Sequence, residues 1–131
     1  MLIIGDEILG YKNFIKISKI EDIKNTKNCD VLCFEYNKNL LVFCKKNDLA
    51  CGVFVSSLTE AIYANAFFAD YLLVKKDLGK EFSKKIQDIA NEYIFDSKVL
   101  AVIDSEDEIE ELAIKGVDGV IFKNIIKDIN I

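Results

Sequence analysis

The chain contains no histidine, arginine, proline or tryptophan. Without histidine it lacks the side chain that ordinarily moves protons near neutral pH, and with it the commonest metal ligand. Without arginine there is no planar fork to grip a phosphate or carboxylate through paired hydrogen bonds. All seventeen basic residues are lysines, point charges on flexible stems. Cysteine is sparse: Cys29, Cys33, Cys44 and Cys51 show no C-x-x-C pair, so they read as small buried hydrophobes rather than a zinc or redox site. Glycine-rich phosphate loops of the G-x-G-x-x-G or G-K-[ST] kind are also missing. No metal and no cofactor is expected.

Long apolar runs are absent as well. None approaches the roughly 20 residues that cross a bilayer, and Met1–Ile4 runs directly into Gly5-Asp6-Glu7, not into a signal peptide's apolar core. The expectation is a cytoplasmic chain with no membrane partner. The net charge is −5, with acids concentrated at 104–111 and no basic stripe, which argues against nucleic acid. Abundant Lys, Ile and Asn fit the codon usage of an AT-rich bacterial genome. A length of 131 residues with no Gly/Ser/Pro linker reads as a single domain, 1–131.

What the chain does have is short β-branched runs alternating with helical patterns. Strands are expected at 2–5, 14–17, 30–35, 52–56, 71–75, 98–103 and 119–122. Helices are expected near 18–27, 38–48, 57–68, 79–95 and 105–115, with a last short one after 123. Strands apolar on both faces and separated by helices imply parallel βαβ units. Residues 6–13 are too few for a crossover helix, so the first strand should form a hairpin or lie at an edge. The expected fold is a three-layer α/β domain with a mostly parallel open sheet of six or seven strands. A flavodoxin-like, doubly wound order is preferred, the alternative being a partial barrel with strands in chain order.

One unit recurs. Residues 51–74 align with 99–122 at an offset of 48 without a gap, placing Ser57 on Ser105, Glu60 on Glu108 and Asp70 on Asp118. A degenerate third copy has Ser18, Glu21 and Asp30. Ser-x-x-Glu is a capping box, which fixes where each helix starts. It also occupies N–H groups that an anion would need, so the three capped starts should not bind phosphate, and Ser57 and Ser105 are caps rather than nucleophiles. The Asp residues precede strands and are read as structural ties on the opposite rim.

S-x-x-E-A, a helix, then A-D-Y-L-x-V is similar to the βα units of (βα)8-barrel enzymes, and GVDGVIF resembles their late strands. That likeness implies a barrel-like sheet with a site at the strand ends; the glycine-rich phosphate turn of such barrels is replaced here by IDSEDE. LIIGDE and ADYLLVKK resemble response-regulator receiver domains more distantly. This second likeness implies Lys75 in the place of their lysine, Ser56 near the switch hydroxyl, and Glu35 where the phosphorylated Asp belongs, a departure that argues against phosphoryl transfer.

Polar groups not spent on caps cluster at the carboxyl ends of strands. Lys75, Glu35 and Asp104 are the candidate catalytic residues, and Tyr36, Ser56, Lys76 and Lys123 the candidate ligand-binding ones. A lysine beside carboxylates could form a Schiff base or hold an anion. The helix at 57–68 is apolar around nearly its whole circumference, which predicts a subunit interface through Leu58, Ala61, Ile62, Tyr63 and Phe67 and hence a homodimer. The expected function is a non-enzymatic oligomeric scaffold or regulatory protein. The alternatives are a reduced barrel-like lyase of aldolase type using Lys75, or a receiver-like switch.

Overall fold

A computed structural model describes all 131 residues. Eight short strands form one all-parallel sheet: β1 (Leu2–Ile4), β2 (Phe14–Lys16), β3 (Val31–Glu35), β4 (Cys51–Phe54), β5 (Tyr71–Val74), β6 (Lys98–Ile103), β7 (Gly119–Phe122) and β8 (Ile126–Asp128). Four α-helices lie between them: α1 (Lys38–Lys46), α2 (Leu58–Ala66), α3 (Lys80–Glu92) and α4 (Ile109–Ile114). The strand order is β1-β7-β6-β5-β4-β3-β2-β8. The expected α/β class with a parallel sheet and βα repeats therefore holds, and of the two arrangements weighed it is the partial barrel. A flavodoxin-type order would run 2-1-3-4-5, whereas here β2 to β7 neighbour one another in chain order.

The connectivity forces the sheet to curl. From Phe122, the last residue of β7, to Ile126, the first of β8, the chain has four residue steps, a reach of at most about 14 Å. Laid flat, those two strands would stand six spacings apart, about 29 Å. Only a curled sheet brings them within reach. The packing agrees: the rings of Phe14 on β2 and Tyr71 on β5 lie 5.4 Å apart, although three strand spacings, about 14 Å, separate them along the sheet.

Curling explains why the chain has two cores. Leu32, Phe34, Val53, Leu72 and Val120 point outward and pack with Leu40 and Leu41 of α1, Ala61 and Ala64 of α2, Ile86 of α3 and Leu112 of α4. Phe14, Val31, Cys33, Phe54, Leu73, Leu100, Val102 and Ile121 point inward and pack on one another. Every α-helix contributes to the first core and none to the second, so the far wall of the curled sheet covers the concave face where a doubly wound fold would place helices.

The edges depart from the expected outline. β1 does lie at an edge, but parallel to β7 and not in a hairpin. Its approach depends on Gly119, where a Cβ would fall 2.6 Å from Leu2 Cβ and 2.7 Å from the Leu2 carbonyl oxygen. The helix expected after 123 is one 3-10 turn, Lys123–Ile125, followed by β8, which pairs with β2 and raises the strand count to eight. The segment expected as helix 18–27 is a 3-10 helix, Ile20–Asn25.

The repeat persists at the level of hydrogen bonds. Asp70 Oδ2 accepts from the Cys51 N–H at 2.9 Å, and Asp118 Oδ2 accepts from the Val99 N–H at the same distance. Each Asp thus ties its own strand to the start of the preceding one. In the degenerate copy Asp30 instead accepts from the Lys27 N–H, and Asp22, not Glu21, receives the N–H groups of Ser18 and Lys19.

Candidate ligand-binding site

A strand's two-residue period decides what the concave face presents at its carboxyl end. On β2, Phe14 faces inward, so Lys16 does too. On β3, Val31 and Cys33 are inward and Glu35 follows. On β5, Tyr71 and Leu73 are followed by Lys75; on β6, Leu100 and Val102 by Asp104; on β7, Ile121 by Lys123. Below lies an apolar plug, and above it the last inward position of five strands carries a charge.

These side chains surround a concavity of about 820 Å³ at the mouth, walled by Lys16, Lys75, Lys76, Asp77, Asp104 and Lys123 over a floor of Phe54, Val102 and Ile126. That size is ordinary for a small-molecule site. Glu35 stands between two of the lysines, 2.8 Å from Lys75 Nζ and 3.5 Å from Lys16 Nζ. Both ammonium groups also lie over the Phe54 ring, at 5.3 and 5.4 Å from its centre. Lys76 donates to Asp104 at 2.9 Å and lies 3.4 Å from Glu108. Its bond with Asp104 raises the pKa of Lys76 and lowers that of the carboxyl. Lys123 has no carboxylate within ion-pair distance; it acts on Asp104 only through space. The wall sets four lysines against Asp77 and Asp104, and two further carboxylates reach wall lysines from beside it, Glu35 at Lys75 and Lys16 and Glu108 at Lys76.

No family model matches the sequence, and no curated protein matches it. The reading therefore rests on the geometry alone. Of the candidate catalytic residues, Lys75 and Glu35 meet, whereas Asp104 is paired with Lys76. Glu35, Tyr36, Ser56 and Lys75 share a smaller neighbouring recess of about 270 Å³, so the trio suggested by the receiver likeness does converge, but on a sheet of different strand order. Lys76 and Lys123 are where expected on the mouth. Lys16 and Phe54 were missed. Their signal was the alternation itself, which places Lys16 beside Phe14.

Several polar residues are fully engaged elsewhere. Ser57 Oγ accepts from the Glu60 N–H at 3.1 Å, and Glu60 accepts from the N–H and hydroxyl of Ser56. Glu108 accepts from the N–H groups of Asp104 and Ser105. Burial opposes its charged form, but those bonds and Lys76 outweigh it and hold its pKa low. Among the cysteines, Cys33, Cys44 and Cys51 are buried as expected and Cys29 is exposed; burial pushes the Cys33 thiol up to about 12, which leaves it inert.

The apolar helix α2 is partly accounted for within the chain. Ala61 is fully buried against the sheet and is not part of any accessible surface. Tyr63 stacks on Phe67, and Lys38 of α1 lies 4.2 Å over the Tyr63 ring. Leu58, Ile62 and Tyr63 keep 37%, 45% and 44% of their surface exposed. No helix of the chain is long and apolar enough to cross a membrane.

Proposed function

We propose that the protein is a non-enzymatic regulatory domain that binds a small organic anion, a carboxylate, in the mouth of its curled sheet. The observation that carries this reading is the charged rim: four lysines from three strand ends, Lys16, the adjacent Lys75 and Lys76, and Lys123, border one concavity over an apolar floor, and Lys123 has no carboxylate partner. Exposed lysines ion-paired with Glu35 and Asp104 serve binding better than chemistry. A Schiff-base lysine is activated by desolvation, whereas the Lys75 side chain keeps 43% of its surface open to water.

The test is a thermal-shift screen of small carboxylates against wild type and Lys123→Ala. A ligand at a hundred times its Kd should stabilise the fold by about 2.7 kcal/mol, or roughly 10 °C for a domain of this size, and the variant should lose most of that shift. If no carboxylate moves the transition, or if the variant responds like wild type, the reading fails.

A second reading rests on the exposed part of α2. Leu58, Ile62 and Tyr63 favour self-association into a homodimer. Sedimentation should then give a mass that rises with concentration and becomes monomeric in Ile62→Glu. A wild type that stays monomeric at high concentration refutes it.

A further inference from the structure

Three helix starts that follow strands are closed by side chains: Asn37 accepts from the Leu40 N–H, Ser57 from the Glu60 N–H, and Glu108 from Asp104 and Ser105. The thirteen-residue α3 is the exception. Its N-cap is Gly79, which has no side chain to offer, so the N–H groups of Lys80, Glu81 and Phe82 have no partner within the helix. Gly79 has a φ of +89°, and a Cβ placed there would meet nothing within 4 Å. The backbone is open to an approaching group.

A second feature points into the same space. Ser83, one turn into α3, is only 2% exposed, and no hydrogen bond within the chain engages its hydroxyl. Ser83 lines a cavity of about 360 Å³ together with Gly79, Lys80, Lys76 and Ser105. With no bond inside the chain, the hydroxyl is left available to a group entering the cavity. The one acid on the wall, Glu108, has Oε2 occupied by two backbone N–H groups and Oε1 turned toward Lys76. Its charge is largely spent before a ligand arrives.

The geometry points to an oxyanion site at the start of α3, built to hold a phosphate group, free or as a monoester. Helix amides supply donors from one side, the Ser83 hydroxyl from below, and Lys76 and Lys80 from the walls, an arrangement that suits a tetrahedral anion with oxygens in every direction. The cavity adjoins the carboxylate mouth and shares Lys75, Lys76 and Val102 with it, but Lys123 belongs to the mouth alone and Ser83 to this cavity alone.

The experiment is a titration of the ¹⁵N-labelled full chain with sodium phosphate, using sodium chloride at matched ionic strength as control. Saturable shifts of the Gly79 to Ser83 amides are expected. Ser83→Ala, which removes a hydroxyl that bonds nothing in the free protein, should weaken binding about tenfold, while Lys123→Ala should leave it unchanged. Absence of saturable shifts at these amides overturns the proposal, as does undiminished binding by Ser83→Ala. Shifts centred on the mouth lysines and abolished by Lys123→Ala would also overturn it and assign the phosphate to the mouth. A failed carboxylate screen beside an intact phosphate response would sink the mouth reading alone.

Discussion

The curl of the sheet can be tested by asking whether β2 and β5 feel each other. Phe14 is 1% exposed and its ring centre lies 5.4 Å from that of Tyr71, with the planes tilted by 50°. Tilted aromatic pairs at this separation contribute about 0.5–1.5 kcal/mol beyond the area they bury. Phe14→Leu should cost about 1–2 kcal/mol through lost contacts, and Tyr71→Leu less, because Tyr71 is only half-buried. If the concave face closes on itself, the double variant should be more stable than the sum of the two losses predicts, by about 1 kcal/mol. On an uncurled sheet the residues would sit beyond the 7–10 Å at which substitutions become additive within about 0.5 kcal/mol. Urea unfolding of the four proteins, with a shared m-value, resolves that difference. A coupling below about 0.3 kcal/mol would mean that the inner core is not continuous from β2 to β5, and the mouth built upon it would lose its floor.

Three other outcomes follow from particular residues. Gly119→Ala should destabilise by about 1–3 kcal/mol through overpacking, with amide-exchange protection lost first in β1, because the new methyl would strike Leu2; unchanged protection at Leu2–Ile4 refutes the close approach. Ile94 is 85% exposed yet sits at φ +51°, a left-handed conformation that disfavours β-branched residues, so Ile94→Gly should stabilise by about 1 kcal/mol and raise the melting temperature by a few degrees, and a lowered melting temperature would count against it. Glu108 and Asp104 have folded-state pKa values below their ordinary 4.5 and 3.8; the stability they contribute is therefore present above about pH 4.5 and lost as pH falls through the lower folded values. Glu108→Gln should be less stable than wild type at pH 7, with the gap narrowing as pH falls below about 4.5, and melting temperatures that keep a constant difference through acid pH would contradict the linkage.

The four α-helices and strands β1 to β7 were legible because each carries its own periodicity, whereas the segments at 18–27 and after 123 were read as helices and are 3-10 turns. The unit 51–74 and its copy 99–122 carry a cap, an amphipathic or small-residue face and a closing Asp, and these devices reappear as hydrogen bonds at equivalent positions. β8 was not legible: Ile126-Lys127-Asp128 is three residues long and takes its strand conformation from pairing with β2, a partner more than a hundred residues away in sequence. Nor was Asp22 to be preferred to Glu21, since Ser18-x-x-Glu21 has the capping spacing, and only the start of the 3-10 helix one residue later, at Lys19, puts Asp22 three residues on. Within α2, Ala61 and Ala64 face the sheet, because small residues let a helix approach closely, whereas Leu58, Ile62 and Tyr63 remain exposed.

The mouth lay between these cases. Each strand's last inward residue follows from counting in twos, so Glu35, Lys75, Asp104 and Lys123 were nameable one at a time. Whether they face a common space depended on the sheet's curvature, which is set by the four-step passage from Phe122 to Ile126. A doubly wound sheet with the same strands would have strung the same charges along an open edge, where exposed lysines and carboxylates pair with water and contribute little. The curl turns a row of rim charges into a ring around an apolar floor. It does so while caps close the helix starts beside β4 and β6 and leave the start of α3 open, so the charged mouth and the cavity at α3 meet along Lys75 and Lys76, and Gly79 and Ser83 mark out the second from the first.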